Sequence, residues 1–387
     1  VANTLYTPEQ AARSTLAALR YLTVLPRTVR QDFSEDFVPG VGTVVNVRNP
    51  ISAGASRVYT ADDRTARNAI VFDDLTQSTV PVEMTDQVYK AVRLPDDFAT
   101  FTLQQLEQQV LVPQAESVVD GIAAPLWKEM NKIDTDASIP TLTSSNALSV
   151  LIQARAVLNA RKVPVADRCI ALSPAAEAAF LELDLLQKVN ESGSDGVLRE
   201  AIIGRLMGFT IVSDPNLDGP TKVTITGSPS GGNFTLTYGG DTTGNIAHNA
   251  TAATVETALE ALDSIVEGSI SVSGSAGGPY TIKGLADPDD LDATASLTGG
   301  SSPGVTVAAS VSGYGVAYHR DAFAHVTRPS ANPRGAAASA TVSQDGFALR
   351  WLQHYNPSQL EDQSVVDTFV GAKTLDATRA VSFDMSA

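Results

Sequence analysis

The residues of this chain that could do chemistry are few, and their spacing suits none of the common reactions. Cys169 is the only cysteine among 387 residues, so neither an internal disulfide nor a thiolate metal cluster is available. It stands in Asp167-Arg168-Cys169-Ile170-Ala171-Leu172, where a small apolar side chain suits a buried strand. The four histidines, His248, His319, His325 and His354, include no pair at the i, i+4 spacing that puts two imidazoles on one helix face around zinc. Gly300-Ser301-Ser302-Pro303-Gly304 matches the GxSxG string of a serine nucleophile. That nucleophile needs a strand turning sharply into a helix, whereas this string lies in a loop-like tract of small residues. Asp287-Pro288-Asp289-Asp290-Leu291-Asp292 offers hard oxygen ligands, but it lacks the glycine and terminal glutamate of a calcium loop and reads as a solvated acidic turn. The pairs Asp62-Asp63, Asp73-Asp74 and Asp96-Asp97 are sequence neighbours, which point to opposite faces of a strand. They read as turns rather than acid–base dyads. Neither a Walker A loop nor GxGxxG occurs. The expectation is no catalytic centre, no cofactor and no metal: not an enzyme.

One charged group invites a different chemistry, that of recognition. Arg57, Arg64 and Arg67 flank Asp62 and Asp63, and these five residues are candidates for ion pairs between copies of the chain. An ordinary polar loop is the alternative.

The bulk composition excludes several classes. The net charge is −16, with 43% hydrophobic and 18% charged residues. An ordinary apolar fraction argues against a disordered or fibrous chain, and the length suggests two or three folding units. No cluster of Lys and Arg is present to grip phosphates, and an acidic balance repels DNA while keeping a crowded protein soluble. No apolar run reaches the length of a membrane span. Val1-Ala2-Asn3-Thr4-Leu5-Tyr6 shows neither a basic region nor an apolar run, so no export signal is visible and a cytoplasmic protein is expected.

The elements that would position these residues follow from periodicity and punctuation. Thr7-Pro8-Glu9-Gln10 is a capping box opening a helix through Leu16, Leu19 and Leu22 to Pro26. Thr43–Val47 and Val80–Met84 are strand-like, and the weakly apolar passage between them predicts a long hairpin projecting from the body. Residues 100–132 predict a long helix with Ala115, Val119, Ile122, Leu126 and Met130 on one face, started or kinked by Pro113, with Trp127 in the core. A compact α/β region follows: a helix bearing Leu148, Leu151, Ile152 and Leu158, a strand at 168–172, and a helix opened by Ser173-Pro174. Next come a loop at 190–196, a helix at 197–207 ended by Gly208, and a strand at 209–212.

At about Pro220 the texture changes to Gly, Ser and Thr. Strands are expected at 221–226, 233–238, 269–273, 280–283 and 305–308, with a helix at 252–262. The stretch 220–311 carries Lys222 and Lys283 against nine carboxylates and is long enough to fold alone as an insertion. The strand at 209–212 is expected to resume, after this excursion, in the sheet containing 315–318, and 346–387 reads as an α/β tail.

In this order the parts resemble the tailed-bacteriophage major capsid (coat) protein of the Hong Kong 97 fold. The strings Val163-Pro164-Val165-Ala166-Asp167-Arg168-Cys169-Ile170-Ala171-Leu172-Ser173-Pro174 and Leu198-Arg199-Glu200-Ala201-Ile202-Ile203-Gly204-Arg205-Leu206-Met207-Gly208-Phe209 carry the likeness, which covers roughly 1–219 and 312–387. The insert resembles small β-rich accessory domains of phage structural proteins through Phe234–Thr243 and Ala252–Leu262, and an immunoglobulin-like or related fold is expected. The resemblance implies an α+β chain: an N-terminal arm at 1–41, an E-loop hairpin with flanking strands at 42–93, and a peripheral-domain spine helix at 94–138. The axial domain would occupy 139–219 and 312–345 around the insert at 220–311, with a C-terminal peripheral segment at 346–387. It further implies hexamers and pentamers in an icosahedral virion shell, assembled in the host cytoplasm with a scaffolding protein and a portal around double-stranded DNA, without membrane. Some members crosslink their shells through an E-loop lysine; residues 42–80 contain none, which implies non-covalent stabilisation. A tail or decoration protein, or an acidic surface adhesin, is the alternative.

Overall fold

The computed structural model describes residues 9–10, 12–13, 15–16, 24–31, 44–48, 56–72, 79–84, 86–96, 110–183, 204–214, 217, 219–285, 290–308, 313–333, 338–344 and 346–385; all counts of elements are of these. The capping box at Thr7, Leu19, Leu22 and most of the helices expected at 100–111 and 197–203 lie outside the described residues. Residues 9–10, 12–13 and 15–16 are helical, and Pro26 lies in a 3₁₀ turn, Leu25–Thr28.

Val44–Arg48 (β1) runs out to a loop bearing a short helix, Ala61–Ala66 (α1), and returns as Thr79–Glu83 (β2). Asp86–Pro95 (β3) leads towards the long helix Val112–Asn131 (α2). Pro113 stands in its first turn, where its missing N–H costs nothing. Ala115, Val118, Ile122, Leu126 and Met130 are fully buried, as a 3.6-residue period requires, while Trp127 is half-buried. Ala147–Ala160 (α3), Arg168–Leu172 (β4) and Pro174–Leu181 (α4) follow, with the Ser173 hydroxyl accepting from the Ala176 N–H at the start of α4.

Over 204–207, the described end of the helix expected at 197–207, no helix forms. Arg205–Leu206 (β5) and Phe209–Ser213 (β6) make a tight hairpin instead. Met207 and Gly208 between them both have positive φ, 49° and 88°, the geometry that matches the twist of paired strands. The Arg155 guanidinium donates to the Met207 carbonyl and packs where a Cβ on Gly208 would lie, at 2.7 Å.

The insert comprises Thr221–Thr226 (β7), Gly231–Tyr238 (β8), Asp241–Thr242 (β9), Ile246–Ala247 (β10), Ala252–Glu260 (α5), Ser271–Gly274 (β11), Tyr280–Lys283 (β12), Asp292–Thr298 (β13) and Gly304–Ala308 (β14). Two antiparallel sheets result, β10-β8-β13 with β9 beside β8, and β11-β12-β7-β14. Their core, with Phe234, Leu236, Val255, Leu259, Tyr280 and Ile282 among its members, draws every residue from within the insert.

The chain then forms Tyr314–His319 (β15), Phe323–Arg328 (β16), Ala338–Gln344 (β17), Phe347–Asn356 (β18), Glu361–Thr374 (β19) and Ala380–Asp384 (β20). The tail is therefore strands and a 3₁₀ turn, Ala377–Arg379, and not the α/β unit expected. Its β-branched run Ser364-Val365-Val366-Asp367-Thr368 favours the extended state. Strand β6 and strand β15 share a five-stranded sheet, as expected, in the order β20-β15-β4-β6-β5. All five residues of β4 are buried at its centre, under α3 and α4. A second sheet is centred on β19, bonded along one edge by β3 and along the other by β18 and then β16. Helix α2 lies across it. Its Gln114 donates to the Ser364 carbonyl and accepts from the Ser364 hydroxyl, and Asp367 accepts from Arg350, Ser330 and Gln87. The two sheets meet where Leu126 and Met130 of α2 pack with Tyr314, Tyr318 and Phe323.

His325, fully buried on β16, bonds the Ile122 carbonyl of α2 through Nε2 at 2.9 Å. Donation to a carbonyl leaves the neutral ring's Nδ1 without a proton, and that atom has no partner. Burial pushes its pKa down to about 4. The unfolded chain takes up this proton near pH 6.5, so the stability that this group contributes falls as pH drops from about 6.5 to about 4, by up to about 3 kcal/mol. Denaturant titration of the unassembled chain at pH 7 and pH 4.5 should show His325→Gln less stable at pH 7 but with a shallower loss on acidification. An equal loss in both would contradict it.

Candidate functional site

Strands β1 and β2 pair antiparallel from Val44 opposite Glu83 to Arg48 opposite Thr79, so the expected hairpin has a formed base. Pro81 sits in this two-strand ladder, where the lack of an N–H is tolerated at an edge. Val47, Val82 and Met84 are buried against Ala324, Val326 and Leu375, which fastens the base to β16 and the end of β19. Gly371 permits the approach: a Cβ there would stand 2.3 Å from the Glu83 carbonyl oxygen.

Beyond the base, the tip at 56–72 is organised without a core. The Thr60 hydroxyl accepts from the Asp63 N–H at 3.2 Å, and Asp63 Oδ2 accepts from the Thr60 N–H at 2.9 Å and its hydroxyl at 2.6 Å. This capping box starts α1. Asn68 Nδ2 donates to Asp63 Oδ1 at 2.8 Å, and the Tyr59 hydroxyl donates to the Asn68 carbonyl at 2.7 Å. The hydrogen bonds from Thr60 and Asn68 hold the Asp63 carboxyl below its usual range. Arg67 closes the helix in the left-handed region at φ 53°.

Of the five charged residues singled out from sequence, Asp63 is thus occupied within its own loop. Arg57, Asp62, Arg64 and Arg67 stand exposed around it. What sequence reasoning passed over is apolar: Val58 is 83% exposed, Ile70 66%, Val71 59% and Phe72 91%. The signal was legible as Ile70-Val71-Phe72, three large apolar residues in a row followed by Asp73-Asp74. Burying one such side chain contributes roughly 1.5–3 kcal/mol. This loop therefore holds its backbone shape while leaving a contiguous apolar run in water, the mark of an interaction surface.

Among the described residues, the other sequence candidates stand in separate places. Ser302 lies in the connection from β13 to β14 with φ 49°, not at a strand-to-helix turn. Cys169 is buried on β4, where desolvation pushes its thiol up to about 11, far from a ready thiolate. Asp290 accepts from the Gly239 N–H at 2.8 Å and Asp292 from the Ala293 N–H at 2.8 Å; Asp287 and Asp289 lie outside the described residues, as do Asp73, Asp74 and Asp97. Asp96 accepts from the Tyr355 hydroxyl. Among the described residues no three His, Cys, Asp or Glu side chains converge as for a metal, and no helix is long and apolar enough to cross a membrane.

No family model matches the chain. A tail sheath protein of Mycobacterium phage Bxz1 is 36% identical over 123 residues, which are 29% of this chain and 21% of that protein; the chain thus spans about a fifth of that relative's length. Among solved structures, one from Mycobacterium phage Che8 superposes with a TM-score of 0.51 at 12% identity, over 93% of this chain and 90% of the other. The capsid structure of Cyanophage P-SCSP1u gives 0.47 at 9% identity, over 89% and 84%. At such identities the likeness is one of fold. The α+β fold of Hong Kong 97 type, expected from the order of parts, is the fold of this chain.

If the capping box shapes the tip, Asp63→Ala removes the half that the carboxylate makes, together with the bond to Asn68, and should cost about 1 kcal/mol locally. Amide exchange across 60–68 should accelerate several-fold while melting of the body stays unchanged. Unaltered exchange there would show that the box does not order the tip.

Proposed function

We propose that this chain is the major capsid protein of a tailed bacteriophage, a non-enzymatic structural protein whose copies close as hexamers and pentamers into an icosahedral shell around double-stranded DNA. The observation that carries this is the tip at 56–72, anchored through its base to the second sheet yet exposing Val58, Ile70, Val71 and Phe72. An arm that cannot bury its apolar side chains on its own body finds that surface in a neighbouring copy. The exposed arginines and Asp62 would then form the charged rim of an apolar contact, the usual anatomy of a protein interface.

The Hong Kong 97-type fold, extending over nearly the whole chain, supports the reading. So does the charge of −16, which lets an inner wall enclose DNA without sequence-specific grip. With no lysine in 42–80, the contact is non-covalent. A scaffolding protein and a portal are the partners this assembly would need, with the virion as destination and the host cytoplasm as assembly site. We read the insert as an immunoglobulin-like or related accessory domain on the outer surface, where its surplus of carboxylates meets solvent.

One observation favours a second reading, a tail component: the 36% identity to a tail sheath protein. That match is confined to 29% of this chain, the extent of a module, so we take it as a part shared between phage proteins. Negative-stain microscopy separates the two, with tubes or rings expected of a tail protein.

Deleting residues 52–68, or substituting Phe72→Asp and Ile70→Asp together, should leave the body's stability within about 0.5 kcal/mol and abolish closed shells. Normal particles from either variant would overturn the role of the tip.

A further inference from the structure

The insert holds only two cations, Lys222 and Lys283, among nine carboxylates, and Lys283 is turned away from its acidic exterior. Lys283, at the end of β12, is 6% exposed. Its ammonium donates to the Ile133 carbonyl at 2.7 Å and lies 3.3 Å from Asp134 Oδ1. Ile133 follows the C-cap of α2, its N–H still bonded to the Met130 carbonyl, so its oxygen stands just past the end of that helix. The same oxygen accepts a second bond, from the Ser382 hydroxyl of β20 at 2.9 Å. Three elements thus meet at one oxygen: the spine helix, the central body sheet and the insert. The neighbouring Gly284 lies against Lys132, whose Cε would be 3.2 Å from a Cβ at that position.

The connections of the insert explain what such a contact accomplishes. The chain enters through β7 and leaves through β14, which are paired neighbours with Lys222 opposite Ala308. Two adjacent strands make a hinge, because they leave rotation about their common line unopposed. The insert's core contains no residue of the body, so packing of that core does not fix its angle. Strand β12 lies on the other side of β7 from β14, about 5 Å from the stem strand, and Lys283 therefore touches the body off the hinge line. Lys222 stands on the hinge strand itself and, with Lys283, opposes the upward push that burial gives the Asp384 carboxyl.

We infer that Lys283 is a latch that sets the angle of the insert to the body by clasping the Ile133 carbonyl at the end of the spine helix. The insert is then a rigid outrigger rather than a tethered module, and a shift of the spine helix end is transmitted to it directly. Taking the latch away leaves a carbonyl that Ser382 still satisfies, so the body survives while the insert swings. This holds whatever the chain assembles into.

The test is the spread of one distance in the full-length unassembled chain. With Cys169 buried, spin labels at Val266→Cys in the insert and Ser149→Cys on α3, both exposed positions, report the angle by dipolar spectroscopy. A narrow distribution is expected in the otherwise native chain, and a roughly twofold broader one after Lys283→Met, a domain motion no longer restrained. Lys222→Met removes the same charge from the hinge strand and should leave the width near native. Should Lys283→Met not yield folded protein, Lys283→Gln reads the same quantity. A distribution as narrow as the native one in a folded Lys283 variant, or equal broadening in Lys222→Met, would overturn the latch.

Discussion

The loop at 56–72 keeps its backbone in order with side-chain hydrogen bonds while its large apolar residues, Val58, Ile70, Val71 and Phe72, stand exposed. Most loops do one or the other: they are polar and solvated, or they are pinned by a buried side chain. Here Asp63, Thr60 and Asn68 supply the local order, so the loop does not have to collapse onto the body to be shaped. Phe72 and its neighbours are consequently presented rather than hidden. The base of the hairpin, by contrast, is committed to the body through Val47, Val82 and Met84. Order at the base and exposed apolar surface at the tip are what the proposed contact between copies requires.

The rest of the architecture serves to hold that arm in place. Strand β19 is the keel, since distant segments of the chain pair along both its edges and α2 is sewn to it through Gln114 and Ser364. Buried Asp367 ties β3, β18 and Ser330 together with charge-assisted bonds, which are expensive to break once desolvated. The first sheet joins this keel through Met130, Tyr314 and Phe323. The insert reaches the same junction through Lys283. The arm thus reaches the keel through β16 and the end of β19, and the insert reaches the body at the end of α2.

Much of this was legible in the residues, and the failures share a cause. The strands at 221–226 and 280–283, the buried strand at 168–172 and the face of α2 all follow from strong apolar periodicity or β-branched content. Strand β13 was missed because the apolar positions of Asp292-Ala293-Thr294-Ala295-Ser296-Leu297-Thr298 are two alanines and one leucine, residues with little strand preference; it is held by pairing to β8. The segment ending at Met207 looks helical by composition, yet Gly208 and the Arg155 contact impose a hairpin. At the candidate site, the charges of Arg57, Asp62, Asp63, Arg64 and Arg67 drew attention because charge is conspicuous in sequence. That Asp63 folds its own loop, and that Ile70 to Phe72 stay exposed, depends on the absence of a body surface nearby. That is a property of three-dimensional placement.

The central claim is that the apolar tip becomes buried only between copies. Radical footprinting of Phe72, compared between the unassembled chain and its assembled particle, tests it most directly. The account predicts strong labelling of the free chain and a large protection, on the order of tenfold, once particles form. Equal labelling of Phe72 in the two states would contradict it.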